Sequence, residues 1–390
     1  MIELFKNKYV FMLSSVVASG TSYFLNITLI LLLADKSQYA NYLSLNAWAI
    51  YLSTFIYLSI MELYISPEGK SVDISKLFNT SFFTLVALSF IIIFLYFLAG
   101  SNYLSFSIIT TSIFYAFIKL LAQYFLFRKQ TEGVVFLRYG RSLLIIIMVF
   151  ILYLVKNIGE VIVTSEDQLY IQGGICALVI CFAIFIFNIK FYFNEGSFFE
   201  IYRNFKGRIV KRNFSMLFDM IHMPILYHVI SHNSNLMNAT FIYAVGVVLP
   251  LAYVVSVILK EQVIVKLNGG KLSSVDRISK MMIFVVLFFY VFIMAIHSYD
   301  EYYQLTFLIL LGSLITFSGC VGLNIYRKGL EKYDLANNLF VMVFLLLISN
   351  SWIDISPQMQ VILSIFIVSL KFTVQLLLSL FGKEKVGCGQ

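Results

Sequence analysis

Charge is scarce in this sequence. Asp, Glu, Lys and Arg make up 12% of its 390 residues, where a soluble domain carries roughly 25%. That leaves too little polar surface to dissolve a chain of this size and excludes a water-soluble globular protein. Cysteine is equally sparse. Cys176, Cys181 and Cys320 lie inside apolar runs and Cys388 in the tail, with no paired spacing. This excludes a disulfide framework and a cysteine metal site, and the GCGQ ending lacks the three residues a prenylated Cys388 would need. The sequence has no P-loop, no HExxH and no GxSxG, so it holds no ATPase motor and none of these hydrolase signatures. Its histidines, His222, His228, His232 and His297, are poorly spaced for a metal. Apart from residues 156–168, the expected external loops are only a few residues long, which leaves almost no room for an external catalytic set. The expectation is a carrier without cofactor or metal, not an enzyme.

What is abundant is hydrocarbon. The chain is 60% hydrophobic and 17% aromatic, with a mean hydropathy of +0.89. A bilayer core of about 30 Å needs roughly 20 apolar residues per helix, and irregular backbone cannot face lipid. Twelve apolar segments fit: 9–33, 39–64, 79–99, 103–127, 134–155, 169–189, 213–232, 239–265, 280–297, 304–326, 335–349 and 357–381. The first, from Tyr9 to Leu33, is too long for a signal-peptide core and reads as a permanent span. The expected fold class is an all-α polytopic membrane protein of about 12 transmembrane helices.

The loops test this count, because basic residues collect on the cytoplasmic side. The N-terminus, the even-numbered loops and the tail hold 24 of the 28 basic residues, among them Lys76, Arg128, Lys129, Arg141, Lys190, Arg212 and Lys328. The odd loops hold only Lys36 and Lys156, beside Asp35, Glu160, Glu166, Asp167, Asp300, Glu301 and Asp354. Both termini are therefore expected in the cytoplasm of a multi-pass protein. The formal charge of +8 follows from topology and calls for membrane lipids as partners, not nucleic acid.

The chain also resembles itself at an offset of about 199. FRKQTE (127–132) follows the fourth segment and YRKGLE (326–331) the tenth. ADKSQYANYLSLNAW (34–48) is echoed by SHNSNLMNATFIYAV (231–245), and the longest expected loop, about 190–212, lies half-way. This predicts two six-helix lobes, 1–195 and 196–390. An even number of spans gives both the same orientation, one of the repeat arrangements found in transporters.

Polar residues inside the apolar segments are the candidate site. Ser107, Thr111, Tyr115, Lys119 and Gln123 recur every four residues and form one slowly winding stripe. Lys119 lies about 12 Å from the cytoplasmic end by helix rise. It either faces a wet passage or an anion, or snorkels toward the headgroups. Ser364, Lys371, Gln375 and Ser379 share a face in the last segment, and the same two readings apply to Lys371. Asp219 and His222 share a face just before Pro224, which can break the helix. They either couple a proton or cation, or Asp219 simply pairs with Lys211 or Arg212. Ser15, Ser19, Ser22 and Asn26 form a polar face on the first segment that suits helix packing or a passage. Glu62 is expected at the membrane interface.

The stretch LLLADKSQYANYLSLNAWAIYLSTFIYLSIMELY (31–64), its echo NSNLMNATFIYAVGVVLPLAYVV (233–255) and the RK-x-x-E turns resemble the Wzx-type O-antigen flippases of the multidrug/oligosaccharidyl-lipid/polysaccharide (MATE-like) superfamily. Ala40 stands where the family pattern has Gly. The resemblance implies a two-lobe carrier of the bacterial inner membrane. It would move an undecaprenyl-diphosphate-linked oligosaccharide from the cytoplasmic to the periplasmic leaflet, driven by an ion gradient. It also implies an O-antigen polymerase and a chain-length regulator as downstream partners. The substrate-side candidates are then Lys119, Lys371, Gln123, Tyr115, Gln375 and Asn26, and the ion-coupling candidates are Asp219 and His222. The rivals are a small-molecule exporter of the same fold and an O-antigen polymerase.

Overall fold

The computed structural model describes residues 28–29, 32–33, 35–58, 60–65, 72–99, 105–159, 163–267, 300–328, 330–350 and 355–381. Among these the chain is all-α, with no strand. The helices are α1 (Lys36–Tyr57), α2 (Ile74–Ala99), α3 (Phe106–Phe127), α4 (Thr131–Gly159), α5 (Ser165–Ile186), α6 (Glu195–Met220), α7 (His222–His232), α8 (Ala239–Leu267), α9 (Asp300–Lys328), α10 (Glu331–Ser349) and α11 (Pro357–Phe381). Short 3-10 turns cover Ile60–Ile65 and Ser234–Leu236.

Several starts are written in the sequence. Asp35 and Ser105 cap α1 and α3 by accepting from Ser37 N and Ser107 N. Thr164 and Asp167 form a reciprocal capping box on α5. Pro357 opens α11, where its missing N–H costs nothing.

Among the described residues, nine segments are long and apolar enough to cross a membrane. They match the expected third to eighth, tenth, eleventh and twelfth spans. Of the expected span 9–33 only four residues are described, and 280–297 lies outside the described residues. The expected span 39–64 is corrected. Its helix ends at Tyr57, Leu58 turns left-handed (φ 49°), and Ile60–Ile65 continue as a 3-10 turn. The expected loop 190–212 is also corrected, because α6 already begins at Glu195. Average hydropathy hides this helix, yet Ile201 and Ile209, eight residues apart, are both buried on one face.

The chain divides into two compact units, residues 1–217 and 218–390. The sequence-based boundary at 195/196 lies at the start of α6, which runs unbroken to Met220. In the first unit α3 packs between α1 and α5, and α4 packs on α5. In the second, α9 packs between α8 and α11, and α10 packs on α11. The same order of pairing in both units fits the internal echo. Two crossings are close enough to require glycine. A Cβ on Gly173 would stand 2.8 Å from Thr111 Oγ1, and one on Gly319 would stand 2.9 Å from the Ser256 carbonyl. Small residues at such crossings are how helices pack in lipid.

Loop contacts within each unit respect the alternation of ends. Arg128 Nη2 donates to Ser75 Oγ (2.8 Å) and Tyr192 N to Asn79 Oδ1 (3.2 Å), which gathers loops two, four and six. Asn41 donates to Ser165 Oγ (3.2 Å), and Lys156 donates to the Leu32 carbonyl, which gathers loops one and five. In the second unit Lys328 Nζ donates to the Ser379 carbonyl (2.7 Å), and Asn233 to Gln360 Oε1 (3.3 Å). Among the described residues, none of these contacts joins an even loop to an odd one.

Candidate functional site

The buried polar side chains gather into clusters inside each unit. The cluster in the second unit is built on the break between α6 and α7. Pro224 cannot donate to the Met220 carbonyl one turn back, and the helix breaks at Ile221. The Met220 carbonyl then loses its helical donor. Beside it, the Lys371 ammonium of α11 donates to the Asp219 carbonyl (2.7 Å), meets Asp219 Oδ1 (2.7 Å) and lies 3.0 Å from His222 Nδ1. These three acceptors match the three hydrogens of an ammonium. As an acceptor at Nδ1, His222 keeps its proton on Nε2, which is buried without a hydrogen-bond partner among the described residues.

Gln375, one turn after Lys371, divides its two amide hydrogens between Asp219 Oδ1 (2.8 Å) and Asp334 Oδ1 (2.7 Å). Asn337 of α10 donates to the Lys371 carbonyl (3.1 Å). The Lys371 side chain has 0% exposure and that of Asp219 36%, so the carboxylate is the open member of the pair. Snorkelling is therefore not what Lys371 does. The alternative pairing of Asp219 with Lys211 or Arg212 is replaced by the pair with Lys371. Four sequence candidates, Lys371, Gln375, Asp219 and His222, stand together. Asp334 is an addition that sequence reasoning missed. Its signal lay in Asp334, Asn337 and Asn338, which share one face of an otherwise apolar helix.

In the first unit the stripe on α3 serves two clusters. Lys119 Nζ donates to Thr54 Oγ1 (3.4 Å) and lies 5.0 Å from the centre of the Tyr57 ring. The Tyr57 hydroxyl donates to Gln123 Oε1, whose amide donates to Glu62 Oε1 (3.3 Å). Arg212 of α6 binds Glu62 Oε2 with Nε (2.9 Å) and Nη2 (2.8 Å). Glu62, expected near the membrane interface, is buried against protein, exposed by 1%.

Tyr115 belongs to the other cluster. Its hydroxyl donates to Gln172 Oε1 (2.7 Å) and lies 3.0 Å from Asn46 Oδ1, and the Gln172 amide donates to the Tyr42 hydroxyl. Over the Tyr115 ring, at 4.6 Å, lies the guanidinium of Arg141. The sequence reading placed Arg141 in a cytoplasmic loop. The structure corrects this: it is ten residues into α4, about 15 Å of helix rise. Its Nε is buried with no hydrogen-bond partner, and no carboxylate pairs with it among the described residues. The signal that could have found it was its place past a helix start at Thr131, not at one. Asn26 lies outside the described residues.

Arg141 is ten residues from the even-loop end of α4, and Lys371 is ten residues from the tail end of α11. Half of a 30 Å hydrocarbon core is about 15 Å. These clusters can hold an anion against donors, or exchange the partner of a carboxylate.

No family model matches the chain, and no curated protein matches it in sequence. Among solved structures it is similar to a eukaryotic MATE transporter, AtDTX14, at 12% identity and a TM-score of 0.49, over 98% of this chain and 94% of that one.

Proposed function

We propose that the chain is a MATE-like flippase that carries an undecaprenyl-diphosphate-linked oligosaccharide across the bacterial inner membrane, from the cytoplasmic to the periplasmic leaflet, coupled to an ion gradient. The observation that carries this reading is the pair of mid-depth cations, Arg141 and Lys371, set among hydroxyls, amides and aromatic rings. A buried cation in a membrane helix is expensive and marks a pathway for ions or polar cargo. A diphosphate is the part of the cargo that hydrocarbon rejects most strongly, and a guanidinium binds phosphate oxygens through two parallel hydrogen bonds. Asn46, Tyr115 and Gln172 around Arg141 suit a polar headgroup.

Coupling follows from Asp219. In the observed arrangement Asp219 holds the Lys371 ammonium. A proton or cation that takes the carboxylate replaces Lys371 as its partner and frees the ammonium for an anion. Asp219 is the partly exposed member, so the exchange begins at the accessible side of the pair.

The test is genetic and chemical. A strain lacking the protein accumulates lipid-linked single repeat units on the cytoplasmic side, and the wild-type chain restores their export. Arg141→Ala and Lys371→Met restore little export at normal membrane abundance. Repeat units that reach the periplasm normally in the deletion strain would overturn the reading. A second reading, an exporter of small organic cations, has one observation in its favour: Glu62 and Asp334 are buried carboxylates. It predicts drug resistance that depends on those two residues, with repeat-unit export unaffected by deletion.

A further inference from the structure

The first unit holds an unassigned groove, away from both clusters. It lies where loops two and six meet, between the first turns of α2 and residues 192–198, and encloses about 150 Å³. Pockets for drug-sized ligands start near about 300 Å³, so this one takes a headgroup and not an oligosaccharide.

Its lining is amphipathic. One end is polar, and what it presents is donors. Asn79 Oδ1 already accepts from Tyr192 N, and Asn194 Oδ1 from Ser197 N. Both amides therefore have their N–H groups left to offer. Ser75 Oγ accepts from Arg128, which leaves its own hydrogen to donate and brings a guanidinium to the rim. Lys76 adds an exposed ammonium. Among the described residues, no carboxylate lines the groove. The nearby Asp73 is turned to the Ser75 N–H (3.1 Å).

The other end is aromatic. Phe83 and Phe193 pack edge to face at 4.9 Å, and Phe198 lies 6.1 Å from Phe193. Beyond the groove, α2 presents Phe90, Phe94, Phe97 and Leu98, each 62–70% exposed, along its membrane length. Tyr192 and Phe193 are also exposed, the placement of aromatic anchors at a membrane interface. A ligand with a phosphate at one end and methylenes at the other fits, and a lipid-facing helix supplies it.

We infer that this groove binds an anionic phospholipid of the adjoining leaflet. The phosphate sits on Lys76 and the Asn79 and Asn194 amides, and the first methylenes lie on Phe83, Phe193 and Phe198.

The probe is phosphatidylglycerol added to the full-length protein in detergent, with adducts counted by native mass spectrometry. Phosphatidylcholine and inorganic phosphate are run alongside. The wild type retains phosphatidylglycerol at least fivefold over phosphatidylcholine, and inorganic phosphate does not displace it. Lys76→Gln combined with Asn194→Ala reduces retention about fivefold. Lys332→Gln, an equally exposed lysine in the second unit, leaves it unchanged. Lys76→Gln alone, at an exposed position that does not threaten folding, gives an intermediate loss. Equal retention of the two lipids, displacement by inorganic phosphate, or full retention in the double variant each overturns the assignment.

Discussion

Asp219 and Lys371 are not equivalent members of their pair, and unfolding experiments should show it. Asp219→Asn removes one charge and almost no volume. The Lys371 ammonium, with 0% exposure, then keeps only neutral acceptors, the Asp219 carbonyl and His222 Nδ1. Breaking a buried pair by removing one partner costs about 3–5 kcal/mol, and the two remaining acceptors put this case near about 3. Lys371→Met leaves the carboxylate instead. Asp219 is 36% exposed and still receives the Gln375 amide, so solvent screening discounts its cost to about 1–2 kcal/mol. The double variant removes both charges of the pair and leaves Asp334 as it stands in Lys371→Met, so it should be nearly as stable as Lys371→Met alone. The cycle then gives a coupling of about 3 kcal/mol between the positions. Chemical unfolding in detergent micelles, followed by circular dichroism, measures all four proteins. An Asp219→Asn variant no less stable than Lys371→Met, or a coupling under about 0.5 kcal/mol, refutes the asymmetry.

The Glu62–Arg212 pair is buried on the acid side, so Arg212→Gln should destabilise by about 3 kcal/mol. Arg212→Lys should recover only part of this, because it cannot reproduce the two N–H bonds to Glu62 Oε2; the same unfolding assay reads both. Gly173→Val drives a side chain into Thr111, 2.8 Å from where a Cβ would stand. It should cost about 1–3 kcal/mol and lower the yield of folded protein, seen as a smaller monodisperse fraction in gel filtration. Single cysteines at Lys129 and Glu166, in a cysteine-free background, should label from opposite sides of the membrane. Labelling from one side would break the alternation of loops.

Much of the helical architecture was legible because membrane solvation is a blunt constraint. Runs such as 357–381 have to be helices, and α11 has those bounds. Where the reading failed, averaging had erased the signal. The α6 helix mixes buried Ile201 and Ile209 with a dense set of lysines and arginines, and a hydropathy window reports only a loop. Of the site, Lys371, Gln375, Asp219 and His222 were visible as ionisable or amide groups inside apolar segments. Their convergence was not, because 149 residues separate Lys371 from His222 along the chain. Arg141 was misread because the charge-counting rule assigns every arginine near a span end to a loop. The helix start at Thr131 puts it some fifteen ångströms deep.

The internal echo sharpens what these positions mean. An offset of 199 carries Lys371 onto Gln172 and Gln375 onto Cys176, both buried on α5. The two units therefore share a scaffold but place their cation on different helices. In the second unit the ammonium sits on α11 and meets a carboxylate. In the first, the equivalent position is an amide, and the cation comes from α4 with a tyrosine ring beneath it. A guanidinium stays protonated under any physiological condition, so Arg141 is a permanent charge. Under the flippase reading proposed above, Lys371 meets an anion only when Asp219 releases it. On that reading the first unit supplies a constant attraction for an anion and the second an attraction that a cation gradient switches. The proposed coupling needs that difference, since an anion held equally in both states of a carrier would shift neither.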